Sequence, residues 1–256
     1  MAPGRARDVA WSALASLETA MPHPTPVVIV TGATGNVGRA LLPVLADRGM
    51  TVVAVARGGA ALTEALANLP AAASHLAIPD ADLLDPAACR KVVSDTLARF
   101  GRIDGLAHTV GGFAAAPAAD GGTDLWDQMF RLNTLTTLNI VQAALPPMRA
   151  AQRGSLVAIA AGAGLKAPSG LAAYAASKSA VLRLVESFAA ELKSEGVRVN
   201  AVLPGTIDTP QNRAAMPKAN PSAWVLPSEV AEAMAFLLAD SASGITGAAL
   251  PVNGRG

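Results

Sequence analysis

Val27-Val-Ile-Val-Thr-Gly-Ala-Thr-Gly-Asn-Val-Gly38 decides the fold. Val27–Val30 is apolar and β-branched throughout, without the polar alternation of a half-exposed strand. That pattern belongs to a strand covered on both faces, the usual state in a parallel sheet. The run breaks at once into Gly32, Gly35 and Gly38, and a helix is expected from Asn36 to Arg48, stopped at Gly49. Glycine at the carboxyl end of a strand allows a tight turn. It also lets the backbone N–H groups that open the helix, at Asn36, Val37 and Gly38, approach a pyrophosphate. A glycine-rich turn also occurs without a ligand, but the position between strand and helix favours a nucleotide cradle.

The alternation continues down the chain. Thr51–Ala56, His75–Ile78, Ile103–Thr109, Ser155–Ala160, Val197–Leu203 and Ala248–Val252 read as further strands. Helices are expected over Ala60–Leu69, from Pro86 to Phe100, over Leu125–Ala150 with Pro146-Pro147 bending or ending it, over Ala172–Ser194, and from a Ser228 cap to Ala239. Repeated units of this kind predict an α/β fold, a Rossmann-type doubly wound parallel sheet of about seven strands with helices on both faces. Residues 1–25 stand apart. Arg5 and Arg7 precede a weakly apolar run from Trp11 to Ala20, and Met21 opens a Pro-rich stretch that cannot be helical. They read as a flexible N-terminal extension, with Met21 the natural start of the fold and residues 26–256 a single domain.

Composition narrows the function classes. The chain has 256 residues and is 52% hydrophobic, enough for one well-buried core. A net charge of +1 leaves no electrostatic footprint for nucleic acid or an anionic membrane. No apolar run is long enough to span a bilayer. The single cysteine, Cys89, excludes an internal disulfide and fits a reducing, cytoplasmic setting. Cys and His are too few and too scattered for a zinc site. The expected partner is a small-molecule substrate, with no metal.

Tyr174-Ala-Ala-Ser-Lys178 places a phenol and an ammonium one helical turn apart, on one face of a predicted helix. A helix tyrosine is often mere packing, but this one is the only Tyr in the chain. With the glycine-rich turn upstream, the pair resembles the short-chain dehydrogenase/reductase family, and the resemblance covers residues 27–253. It implies that Tyr174 gives a proton to the substrate while a nicotinamide gives hydride. A free phenol has a pKa of roughly 10, and the Lys178 charge is expected to lower it. By the same resemblance Lys178 also holds the nicotinamide ribose. Asn133 matches the helix Asn that supports a proton-relay water. Asp82-Leu83 matches the pair at the adenine ring, and Gly111, with Gly112, keeps backbone access to the cofactor. Pro204, Gly205, Ile207 and Thr209 fall in the nicotinamide-facing loop, the Ile207 backbone and the Thr209 hydroxyl holding the carboxamide. The second strand ends in Arg57 without an acid; a guanidinium suits a 2′-phosphate, so NADP is the preferred cofactor and NAD the alternative. A homo-oligomer, dimer or tetramer, is implied. His108, at a strand end, is read as structural.

The chain departs from the family pattern in three places, one of them His108-Thr109-Val110-Gly111 after the fourth strand, where the family has Asn-Asn-Ala-Gly. Asn36 stands where the middle glycine is expected, with Gly35 one residue early. The Ser that binds the substrate oxygen is missing from Ala160-Ala161-Gly162-Ala163; Ser155 lies at the wrong end of the strand and Ser169 in the following loop. A lost preorganised donor costs an acyl-transfer enzyme ~10²-fold or more, which points to a substrate needing little polarisation. Gly111-Gly112-Phe113, Gln211-Asn212-Arg213, Met216-Pro217 and Trp224 look like dihydropteridine reductase and its bacterial relatives, which reduce a quinonoid ring without the Ser. The expected function is therefore an NAD(P)H-dependent oxidoreductase of an activated carbonyl or quinonoid, pterin-like substrate. A conventional alcohol or ketone dehydrogenase of the same family is the alternative. A weakly catalytic dinucleotide-sensing or scaffold protein is the reading from another class.

Overall fold

A computed structural model describes residues 25–255, so the expected N-terminal extension lies outside the described residues except for its last position. The strands are β1 (Val27–Thr31), β2 (Thr51–Ala56), β3 (Leu76–Pro79), β4 (Gly105–His108), β5 (Gly154–Ile159), β6 (Val197–Pro204) and β7 (Ala249–Val252). They form one seven-stranded sheet in the order β3-β2-β1-β4-β5-β6-β7. Every neighbouring pair is parallel, as expected. The helices are α1 (Asn36–Asp47), α2 (Gly59–Ala67), α3 (Pro86–Phe100), α4 (Thr123–Met129), α5 (Thr136–Ala150), α6 (Ala172–Leu192), α7 (Pro210–Ala215) and α8 (Pro227–Leu238).

Side chains alternate along a strand, and here both faces are apolar. Val27 and Ile29 of β1 join a core layer with Val92 of α3, Ile140 of α5 and Val181 of α6. Val28 and Val30 join the opposite layer with Leu41 of α1, Leu62 of α2 and Val230 of α8. The sheet is thus the shared wall of two apolar layers, which is why Val27–Val30 carries no polar position. Among the described residues no helix is long and apolar enough to cross a membrane. Nor does any group of three or more His, Cys, Asp and Glu among them suit a metal ion.

Four local expectations are corrected. The long helix over Leu125–Ala150 begins at Thr123 and is broken by a π-helical turn, Phe130–Leu135, between α4 and α5. Pro146-Pro147 does not end α5, because its buried stripe Ile140, Val141, Ala144, Leu145 and Met148 continues past the prolines into the core. Ser228 is not a cap. Pro227 starts α8, and the Glu229 carboxylate accepts the Leu226 N–H at 2.8 Å. Helix α7 was not expected, although Thr209 caps it by accepting the Asn212 N–H at 3.1 Å and Pro210 follows as its first residue.

Candidate active site

The strand order reverses between β1 and β4, and in open α/β sheets the ligand crevice lies at the carboxyl ends flanking such a reversal. The glycine-rich turn sits there. Gly32 has φ +72°, and a Cβ on it would lie 2.7 Å from Thr109 Oγ1. A Cβ on Gly38 would lie 2.2 Å from the Gly32 carbonyl oxygen. Only glycine fits either position. Helix α1 opens after Gly35 with no acidic residue in its first turn. Its leading amides and positive dipole end therefore meet no competing carboxylate of their own helix. This cradle fits a pyrophosphate, which the amides of Asn36, Val37 and Gly38 would hold. The Asn36 side chain donates to Gln211 Oε1 at 3.2 Å, joining the cradle to α7.

The remaining cofactor candidates lie along the same edge. Arg57 is exposed just past β2, and the Val55 carbonyl of that strand accepts the Ala33 N–H of the cradle at 3.1 Å. Asp82 is exposed, and its Oδ1 accepts the Leu84 N–H at 2.9 Å. Leu83 turns its side chain into the core, and its carbonyl accepts from Asn139 Nδ2 at 3.0 Å. Pro204 closes β6, and the Gly205 N–H bonds to the Val252 carbonyl at 2.9 Å. The Ile207 carbonyl already accepts from Asn212 Nδ2 at 2.8 Å, whereas the buried Thr209 hydroxyl accepts a cap bond and keeps its own proton to donate.

Helix α6 carries the chemistry. Lys178 is 3% exposed, and its Nζ donates to the Ile159 carbonyl of β5 at 3.0 Å. Burial lowers its pKa to about 8. Burial also pushes the Tyr174 phenol up to about 12. The expected lowering by Lys178 is thus outweighed: desolvation of the phenol dominates, and the Lys178 ammonium is engaged with Ile159. A raised phenol stays protonated at neutral pH, the state a proton donor requires. The backbone of Gly111 runs against this pair, since a Cβ there would lie 3.0 Å from Lys178 Nζ and 2.9 Å from Asn133 Oδ1.

Asn133 ties the loop after β4 to the helix of the site. It is fully buried in the π turn. Its Oδ1 accepts the Gly112 N–H at 2.9 Å, and its Nδ2 donates to the Gly112 carbonyl at 3.1 Å and to Ser177 Oγ at 3.0 Å. Ser177 in turn donates to the Tyr174 carbonyl at 2.7 Å. Both amide protons are committed, so the side chain ties the Gly112 backbone to α6. The reading of the sequence missed Ser177, although it directly precedes Lys178. It also missed what the clamp delivers: Phe113 is 65% exposed, and its ring meets Tyr174 edge-on with centroids 5.0 Å apart. His108 is structural, as expected. Its ring nitrogens lie 2.8 Å from Thr31 Oγ1 and 3.4 Å from Thr136 Oγ1, and burial, then the Lys178 charge, lower its pKa to about 3.

Ala161 is buried just past β5 and leads into the turn Gly162–Gly164, where a Cβ on Gly164 would lie 2.9 Å from the Lys178 carbonyl carbon. It offers no hydroxyl beside the pair. Ser155 donates to the Leu237 carbonyl at the far end of the strand. Ser169 is exposed in the following loop.

Comparison with known proteins agrees with this arrangement. The family described as short chain dehydrogenase matches residues 26–220. The 3-oxoacyl-acyl-carrier-protein reductase FabG of Thermotoga maritima is 29% identical over 239 residues, covering 89% of this chain and 96% of its own. NAD+-bound xylitol dehydrogenase superposes with a TM-score of 0.81 at 28% identity, covering 90% of this chain and 98% of that one. A variant of actinorhodin polyketide ketoreductase with NADPH does so with a TM-score of 0.82 at 26% identity, covering 90% and 96%. The chain therefore belongs to the short-chain dehydrogenase/reductase family and is an NAD(P)-dependent oxidoreductase.

Proposed function

We propose that the protein reduces an activated acceptor, a conjugated carbonyl or a quinonoid, pterin-like ring, with Tyr174 as proton donor and NADPH preferred over NADH. The observation that carries this reading is the methyl group of Ala161 where the family places a hydroxyl. An ordinary ketone must develop oxyanion charge, and a missing donor is felt most there. A quinonoid ring spreads its electron demand over the ring. Phe113 supports the same reading, because a mostly exposed aromatic beside the proton donor offers a flat apolar face to a planar acceptor. A nicotinamide, when bound, would supply the hydride. Tyr174 supplies the proton, and Lys178 stands behind it as a buried positive charge for the phenolate that remains. Cys89, buried with its thiol pushed up to about 11 by burial, suits a reducing cytoplasm.

The conventional reading is favoured by the relatives, whose names include a 3-oxoacyl reductase and a xylitol dehydrogenase. The two readings separate in one comparison. NADPH oxidation is measured with a quinonoid dihydropterin, a quinone and a simple ketone, in wild type and in Ala161→Ser. Turnover of the ring acceptors ~10²-fold above the ketone, and a gain confined to the ketone in Ala161→Ser, are expected. Equal kcat/KM on all acceptors, or equal gains, would establish the conventional dehydrogenase instead.

A further inference from the structure

The turn around Arg57 is bracketed by one residue, Asp80, which directly follows β3. The Asp80 N–H donates to the Ala56 carbonyl at 2.9 Å, and Asp80 Oδ1 accepts the Gly58 N–H at 3.0 Å. Both neighbours of Arg57 are thereby tied to the same acid. The sheet register makes this possible, since Ala56 pairs with Pro79 and Asp80 is the next residue. The closure has a conformational cost: Asp80 takes φ +57° and faces Gly58 at φ +84°. A non-glycine residue in the left-handed region is uncommon, and such outliers cluster at functional sites. No Lys or Arg of the described residues comes within 4.0 Å of the Asp80 carboxylate. A carboxylate without a counter-ion therefore lies in the turn that presents Arg57.

The ribose 2′ position of a dinucleotide is read at the carboxyl end of the second strand. There a carboxylate favours a 2′-hydroxyl by accepting its proton, and a guanidinium favours a 2′-phosphate. This turn holds one of each. We propose that Asp80 is a specificity-determining residue that limits the preference for NADPH conferred by Arg57, so that the chain binds both dinucleotides. The inference rests on the assignment of Arg57 to the ribose end of the cofactor. A carboxylate bonded to the residue after Arg57 would repel a near-dianionic phosphate held by that guanidinium, at a cost of about tenfold in affinity in an exposed turn.

The test uses binding alone. Dissociation constants for NADPH and NADH are measured by fluorescence titration of the full chain, without substrate, in wild type, Asp80→Asn, Asp80→Gly and Arg57→Ala. Asparagine keeps an oxygen for the Gly58 N–H and tolerates positive φ, so Asp80→Asn removes little except the charge. Asp80→Gly removes the acceptor too while relaxing the backbone. Asp80→Asn is expected to tighten NADPH about tenfold and to weaken NADH severalfold, with the NADPH gain shrinking in added salt. Asp80→Gly should move the NADPH-to-NADH ratio in the same direction, and Arg57→Ala in the opposite one. If Asp80 merely closes the turn, Asp80→Asn leaves both constants unchanged and Asp80→Gly weakens both alike; either result overturns the proposal. A wild type that binds both dinucleotides while the ratio stays fixed in both Asp80 variants refutes the role of Asp80 alone. A wild type that binds neither refutes the nucleotide site and this proposal with it.

Discussion

Tyr174 and Lys178 feel the same burial in opposite ways. The phenol is held neutral and the ammonium is made less basic. Replacing Tyr174 with Phe should lower kcat by ~10²–10⁴-fold, the usual worth of a positioned proton donor. It should leave the NADPH dissociation constant within about twofold, because the ring is kept. Turnover close to wild type would show that another acid protonates the substrate. For Lys178 the folded pKa of about 8 lies below its ordinary 10.5. Between those values the unfolded chain holds more protons than the folded one, so folded stability rises with pH across that window. Melting temperatures measured from pH 8 to 10 should therefore climb in wild type relative to Lys178→Met, and parallel curves would contradict the burial described here. Tyr174, Lys178 and the glycines were legible in the sequence because each motif fits within a few consecutive residues. The side-chain partners of Asn133 were not, because Gly112 and Ser177 are 21 and 44 residues away. Asp80 was overlooked for the same reason: the search for an acid stopped at β2, whereas the acid arrives from its neighbour in the sheet.

Among the elements, the π turn between α4 and α5 is the least legible in the sequence and the most consequential for the site. A helix interior that spends one extra residue loses regular hydrogen bonding, and such bulges recur at functional sites. Here two threonines bond locally, Thr136 and Thr137 donating to the Leu132 and Asn133 carbonyls at 2.7 Å, while Thr134 reaches across to α6 and donates to the Ser177 carbonyl at 3.0 Å. No periodicity in Leu125–Ala150 betrays the extra residue, since the apolar stripe resumes in α5. Helix α7, in contrast, was marked by Thr209-Pro210, a cap followed by a helix-starting proline, and was passed over because only a family role was read there. If Asn133 is a clamp, Asn133→Ala should lower unfolding stability by about 1–3 kcal/mol, because it leaves Ser177 and both polar groups of Gly112 without this partner. Chemical denaturation measures that loss. Activity should fall through a higher KM as the Gly112-Phe113 loop loosens. An unchanged denaturation midpoint would return Asn133 to a purely chemical role.

For the molecule as a whole, the parallel sheet and the helices on both its faces followed from the sequence because strand–helix alternation leaves few other arrangements. We expect a homo-oligomer, dimer or tetramer, and light scattering on the eluting protein gives its mass; a monomer at micromolar concentration would end that expectation. The order of the strands has a further consequence, one of time. Strands β1, β2 and β3 are sequential neighbours, but β1 meets β4 only by bringing together residues 77 apart, as Thr31 and His108 show. Closing so long a loop precedes the reward of the contacts it makes, and non-local pairing of this kind slows folding. The glycine cradle and the Lys178 pair lie on either side of that junction, so the ligand crevice exists only once the late closure is complete. A dinucleotide would then find nothing to grip along the way in. It should leave the refolding rate unchanged and slow unfolding instead, lengthening the lifetime of the native chain without hastening its birth. Stopped-flow refolding and unfolding with and without NADPH would separate the two limbs, and faster refolding in its presence would mean that the cradle assembles before the sheet is joined.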